Sequence, residues 1–209
     1  MRNDIIRMGP DTLNFTNSFK FLGVTIDRKL SFSDHIASVK GKVAKFAGIL
    51  YKIRDQLPVE VRVRFYYSFV YPHLSYNIAV WGSTHANLLN PLYLLQKRVV
   101  RNIAGESYLA HTGPLFKKFS LLKLKDIFTY HICIYMYKSM KDDSFAVPHN
   151  VNTRNRDLAH PTRHRLTMCQ QAVSYTGPSE WNKLPGSLRS SDSLELFKRD
   201  LKVFLVSSY

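Results

Sequence analysis

Acidic residues are scarce in this 209-residue chain: 15 Asp and Glu stand against 30 Lys and Arg, a formal charge of +15. That imbalance leaves at least half of the cations without an acidic partner and predicts a polyanionic ligand. Nucleic acid comes before a membrane surface, because the basic residues run through the whole sequence and do not gather beside one lipid-facing helix. Cysteine is nearly absent. Cys133 and Cys169 are too few for a disulfide framework, so reduced thiols in a cytosolic or nuclear protein are expected. No apolar run approaches the ~18 residues of a membrane span, and the opening MRNDIIRMGPD lacks a signal-peptide core. We expect an intracellular protein that is not secreted. GxGxxG, a Walker sequence, a nucleophile in a recognisable elbow and internal repeats are also missing. What is present, 45% apolar content, suffices for the core of one ordinary domain or two small ones.

The stretch KFLGVTIDRKLSFSDHI, residues 20–36, changes its apolar period from two to nearly four. Phe21, Leu22, Val24 and Ile26, broken by Gly23, read as a strand approached closely by another backbone or a ligand. Thr12 to Phe15 is a second strand, and the turn chemistry of Thr16, Asn17 and Ser18 predicts a hairpin between it and Phe19 to Ile26. Ser31 with Asp34 predicts a helix start. Ile36, Val39, Val43, Phe46, Ala47 and Leu50 form the stripe of a helix reaching Arg54, and Lys40, Lys42, Lys45, Lys52 and Arg54 fall mostly off it.

After Pro58 the run from Glu60 to Gly82 is apolar and aromatic on several sides, a central helix bent or split at Pro72. Asn90 and Pro91 read as a helix start, Leu92, Leu95, Val99 and Ile103 as its stripe, Gly105 as its end, and Lys97, Arg98 and Arg101 as its outer face. Asp126 to Met140 reads as a buried helix. The polar, aperiodic residues 142–165 read as a basic linker or arm, Leu166 to Tyr175 as a strand, TGPSEWNKLPGSL as turns anchored by Trp181, and Asp192 with Glu195 as the start of a last helix. The fold class expected is mainly α, in the α+β sense, with a β-hairpin first and a small strand and helix segment last.

Some residues invite a catalytic reading. Asp142 and Asp143 form an acidic pair, but a helix precedes them and Pro148 follows, so a surface loop explains them. A metal-dependent nuclease would need that pair together with histidines. His160 and His164 have ligand-like spacing near Cys169, yet Pro161, Arg163 and Arg165 sit among them and oppose a cation. No cofactor is expected. Tyr66, Tyr67, Phe69, Tyr71, Tyr76 and Trp81 could stack on bases, although their density favours core packing.

FKFLGVTIDRKLSFSDHI, GILYKIRDQLP, YYSFVYPHLSYNIAVWG, LQKRVVRNIAG, HTGPLF, WNKLPGSLR and LELFKRDLKVFL occur in that order. The series resembles the region after the palm in non-LTR (LINE-type) retrotransposon reverse transcriptases. The resemblance implies an end-of-palm hairpin in 1–30, a thumb-like helical bundle in 31–141, the linker in 142–165 and a terminal segment in 166–209. It implies that Phe21, Leu22 and Gly23 match the primer-grip element. Lys40, Lys42, Lys45, Lys52, Arg54, Lys97, Arg98 and Arg101 would then meet the phosphates of an RNA and DNA template-primer. Fingers, catalytic palm and endonuclease are expected to lie outside this sequence. The chain should therefore not polymerise alone, and magnesium would belong to the palm of a full-length parent. The alternative is a docking piece or truncated relic that needs the rest of the polymerase to be stable.

Overall fold

The computed structural model describes residues 6–8, 11–13, 16–141, 159 and 165–209. Two antiparallel hairpins come first. Strand β1 (Ile6–Met8) pairs with β2 (Asp11–Leu13), and β3 (Ser18–Phe21) with β4 (Val24–Asp27) in the register Phe21 to Val24 and Ser18 to Asp27. The expected pairing of Thr12–Phe15 with Phe19–Ile26 is therefore corrected: the latter segment folds back on itself. Leu22 and Gly23 both take positive φ, 44° and 83°, the pair of conformations that a two-residue hairpin turn requires.

Helix α1 (Ser33–Ile53) follows at once. Its start is organised by Asp27 and not by a Ser31 capping box. The Asp27 carboxylate accepts from the backbone N–H groups of Lys29, Ser31 and Phe32 at 3.0, 3.1 and 2.6 Å. Partial burial works against its charge, but these donors outweigh it and hold the carboxyl below its usual range. Ile36, Val39, Val43, Ala47 and Leu50 are buried along the expected stripe.

A 3-10 turn (Arg54–Gln56) leads to α2 (Val59–Phe65), a π-helical turn (Tyr66–Val70), α3 (Tyr71–Ser75) and α4 (Ile78–Trp81). The central segment is split near Pro72, as the sequence predicts. In the π turn the Tyr71 N–H bonds to the carbonyl of Tyr66, one residue farther back than in an α-helix, just before the proline that has no N–H to offer. Helix α5 (Ala86–Ala104) begins a turn earlier than Asn90 and carries Pro91 inside it, where only the Asn87 carbonyl forfeits its donor; Gly105, at φ 73°, ends it.

Then come α6 (Gly113–Lys118), α7 (Leu124–Lys141), α8 (Thr167–Gln170), α9 (Val173–Asn182), α10 (Gly186–Arg189) and α11 (Leu194–Ser207). Two expectations fail here. Residues 167–170 and 173–175 are helical where a strand was expected over 166–175, and the turn-rich stretch after them is mostly the rest of α9. Gly177 is buried against Met136, so α9 is held against α7 despite a glycine and a proline that weaken its local helix preference. The last helix is capped by Ser193, whose hydroxyl accepts from the Leu196 N–H.

Helices α1 and α5 pack on each other, while α7 lies among α3, α4, α9 and α11, which explains why it is apolar nearly all round. Buried Gln96 joins the halves. Its Nε2 donates to the Tyr66 hydroxyl and the Leu122 carbonyl, and its Oε1 accepts from the Leu124 N–H, each at 2.9 Å. Within the expected linker, Ala159 docks on α9 through two bonds with the Asn182 side chain. The mainly α fold class stands, with its strands confined to the amino-terminal hairpins among the described residues.

Candidate nucleic-acid interface

On α1 the stripe that buries Val43 and Leu50 turns Lys40, Lys42, Lys45 and Lys52 to solvent. Among the described residues none of these four has a carboxylate within 4 Å. They do not form one row. At ~100° per residue Lys40 and Lys42 point roughly 160° apart, so Lys40 stands on one flank while Lys42, Lys45 and Lys52 share the other side.

The Lys42 flank meets an aromatic row that the sequence reading only partly anticipated. Phe65, Phe69 and His73 recur every fourth residue across the π turn, and Phe46 of α1 joins them. Ring centroids lie 5.4 Å apart for Phe46 and Phe69, 5.6 Å for Phe46 and His73, and 4.8 Å for Phe65 and Phe69. Phe69 and Tyr76 are exposed, whereas Tyr66 and Trp81 are core residues, so the six proposed stacking aromatics divide between surface and interior. Burial first and the Lys42 ammonium second hold both His73 and His35 below the usual histidine range.

The β3–β4 hairpin tip packs against Tyr76, three residues beyond His73. Phe21 and Leu22 are 57% and 72% exposed, and the Tyr76 hydroxyl donates to the Leu22 carbonyl at 2.6 Å. A Cβ on Gly23 would meet the Tyr76 ring at 3.2 Å. The close approach that the sequence suggested at Gly23 is therefore occupied, on this side, by a tyrosine of the same chain.

A third group gathers where α1 and α5 end. Arg54, Arg98 and Arg101 line one cleft of about 370 Å³ together with Tyr51 and Tyr108. Lys97 is separate, its ammonium 4.9 Å from the centroid of Tyr93. The eleven residues singled out in the sequence thus fall into distinct groups. Tyr51, Tyr108, Phe46, Phe65 and His73 are additional members; the four-residue spacing from the proposed stacking residue Phe69 to Phe65 and His73 is the sequence signal that could have identified two of them.

A larger cavity, about 900 Å³, lies elsewhere, with Trp81, Phe128, Tyr93 and Tyr209 among its walls. There Asp126 is pushed above its usual range by burial, against a bond of 2.6 Å donated by the Tyr209 hydroxyl. Cys133 is buried and its thiol is pushed up to about 12, mainly by desolvation, which makes it a poor nucleophile. The acidic pair Asp142 and Asp143 and the histidines His160 and His164 lie outside the described residues. Among the described residues no group of three His, Cys, Asp or Glu side chains could share a metal, and no helix is long and apolar enough to cross a membrane.

No protein-family model matches this chain. No solved structure matches it. Curated proteins do. The RNA-directed DNA polymerase of the mobile element jockey from Drosophila melanogaster is 32% identical over 52% of this chain and 12% of its own length. Its counterpart from Drosophila funebris is 30% identical over 54% of this chain and 13% of its own. A probable RNA-directed DNA polymerase of the Drosophila melanogaster transposon X-element is 27% identical over 55% and 13%. The chain spans only about an eighth of the length of these relatives. Over about half its residues, this chain is related to the RNA-directed DNA polymerases of non-LTR mobile elements.

Proposed function

We propose that this chain is the thumb side of a non-LTR reverse transcriptase, holding an RNA and DNA template-primer without polymerising by itself. In this reading the hairpins through residue 30 close the palm, residues 31–141 form the thumb, 142–165 link it to the terminal segment, and the work is done inside the cell, in cytoplasm or nucleus. Magnesium belongs with the palm of a full-length parent. The observation that carries the reading is the set of exposed α1 lysines without acidic partners among the described residues. A hybrid duplex is held mainly through its phosphates, for which such cations suffice.

The test is binding of a labelled template-primer hybrid across a salt series. Affinity should fall linearly on a log-log plot, about 0.9 in slope for each duplex phosphate neutralised. The double substitution Lys42→Gln with Lys45→Gln should reduce that slope by about 2 with helicity unchanged. Affinity that is the same at low and high salt rejects the proposal.

Phe19, Phe21 and Leu22, 61%, 57% and 72% exposed at the end of a two-stranded sheet, favour a second reading, in which the hairpin docks on the remainder of the polymerase. An isolated chain that aggregates, and that becomes monodisperse after Phe19→Thr with Phe21→Thr, supports docking; a wild-type chain that is already monodisperse argues against it.

A further inference from the structure

We propose that the cleft between the carboxy ends of α1 and α5 seats a single phosphate group carried by a nucleotide, in first place the phosphorylated end of a strand. The inference rests on the nucleic-acid-holding reading and deepens it by assigning this cleft a ligand different from the duplex flank.

Charge comes first. Arg54, Arg98 and Arg101 line the cleft with one carboxylate, Glu106, which has no cation within 4 Å among the described residues, and Arg54 is shared with the exposed Asp55, 3.5 Å from its Nε. Two helices end here, and their last carbonyls would by themselves repel an anion. Arginines at helix ends commonly serve those carbonyls. One bond does so, the Arg62 Nη1 donating to the Asn102 carbonyl at 3.2 Å, while the Arg101 Nε donates to the loop carbonyl of Ala110 at 2.9 Å. Arg98 is exposed and has no carboxylate within 4 Å among the described residues, and the Arg101 terminal nitrogens are not consumed by the bond at its Nε. The positive charge exceeds what the helix ends use.

Orientation comes second. The Arg54 guanidinium lies 4.4 Å from the centroid of Tyr51, and the Arg101 guanidinium 5.6 Å from that of Tyr108. A guanidinium resting on a ring loses less motion when an anion arrives, and with the Arg54 Nε engaged by Asp55 and the Arg101 Nε by Ala110 it is the terminal nitrogens that are left for bonds to phosphate oxygens. Asn102 fixes the frame behind it, its Nδ2 donating to the Ala47 carbonyl and so tying α5 to α1.

Size comes third. A volume of about 370 Å³ suits one nucleotide unit and not a duplex flank, which runs along an open surface. Tyr108, 77% exposed at the mouth, offers a ring on which the attached base can stack.

The experiment compares full-length chain binding to labelled single strands of one sequence with 5′-phosphate, 3′-phosphate or only hydroxyl ends, alongside a hydroxyl-ended hybrid duplex. One phosphorylated end should strengthen binding about tenfold, in keeping with paired charge-assisted bonds. Arg98→Gln should abolish that difference, while Lys45→Gln, an equal loss of charge outside the cleft, should weaken all strands alike and keep it. Competition by a free nucleoside monophosphate would identify a soluble nucleotide as the source, and competition by the phosphorylated strand alone would identify the strand end. Equal affinity for phosphate and hydroxyl ends overturns the inference. If salt-sensitive hybrid binding persists in that case, the holding function stands without the seat; if hybrid binding is absent too, both fall.

Discussion

Gln96 is the polar residue on which the interior most depends, because its amide serves Tyr66, Leu122 and Leu124 at once inside an apolar setting. Gln96→Leu keeps the volume but takes the partner from a buried hydroxyl, a buried carbonyl and a buried N–H, so a loss of roughly 2–4 kcal/mol is expected. Urea unfolding of the variant measures it, and a loss below 1 kcal/mol would show that the site relaxes. Histidine sets the response to acid. His35, His73 and His131 are all held below their ordinary pKa, chiefly by burial, with Lys42 adding to the effect on the first two. The unfolded chain therefore binds more protons, and stability is full above about pH 6.5 and declines as pH falls toward the lower native values. The urea midpoint should drop between pH 7.5 and 5.5, and by less in His35→Gln; a flat profile rejects the assignment. The sequence could not reveal this, since a histidine on an apolar face reads the same whether or not a lysine faces it.

The stripe of α1 was legible because four turns of consistent spacing outvote any single residue, and the split near Pro72 because a missing N–H has few remedies. The β3–β4 turn and the α9 helix were not. Both depend on partners far away in sequence: Tyr76 against Gly23, and Met136 against Gly177. The Asp27 cap escaped for a local reason, as its carboxylate reaches four and five residues ahead while the usual cap acts over two or three. Of the candidate site, the cations were readable one by one, but their division into separate groups follows from how helices end and cross. Two glycines test the helix packing. A Cβ at Gly82 would stand 2.6 Å from the Ile78 carbonyl and 2.7 Å from the Phe128 ring, so Gly82→Ala should cost roughly 1–3 kcal/mol. At Gly177 the obstacle is the Met136 sulfur, the flexible part of a side chain, and a better helix former offsets the shift; Gly177→Ala should be near neutral in the same assay.

At the scale of the molecule, a charge of +15 on 209 residues opposes compaction. Raising salt should therefore increase the melting temperature of the free protein while it weakens the complex with nucleic acid, two opposite trends from one cause. A melting temperature that falls as salt rises would mean that attractive pairs prevail. The wide turn at Tyr66–Val70 has a different reach. It accommodates one residue more than an α-helical turn, and Leu74, Ile78 and Trp81 lie beyond it, all buried. Because the turn absorbs that extra residue, deleting one residue there would close it to an α-helical turn and leave Leu74 on its buried face, whereas a deletion within α2 or α3 would turn that face by about 100°. Length, ordinarily the fixed quantity of a packed helix, is at this turn free to shrink by one.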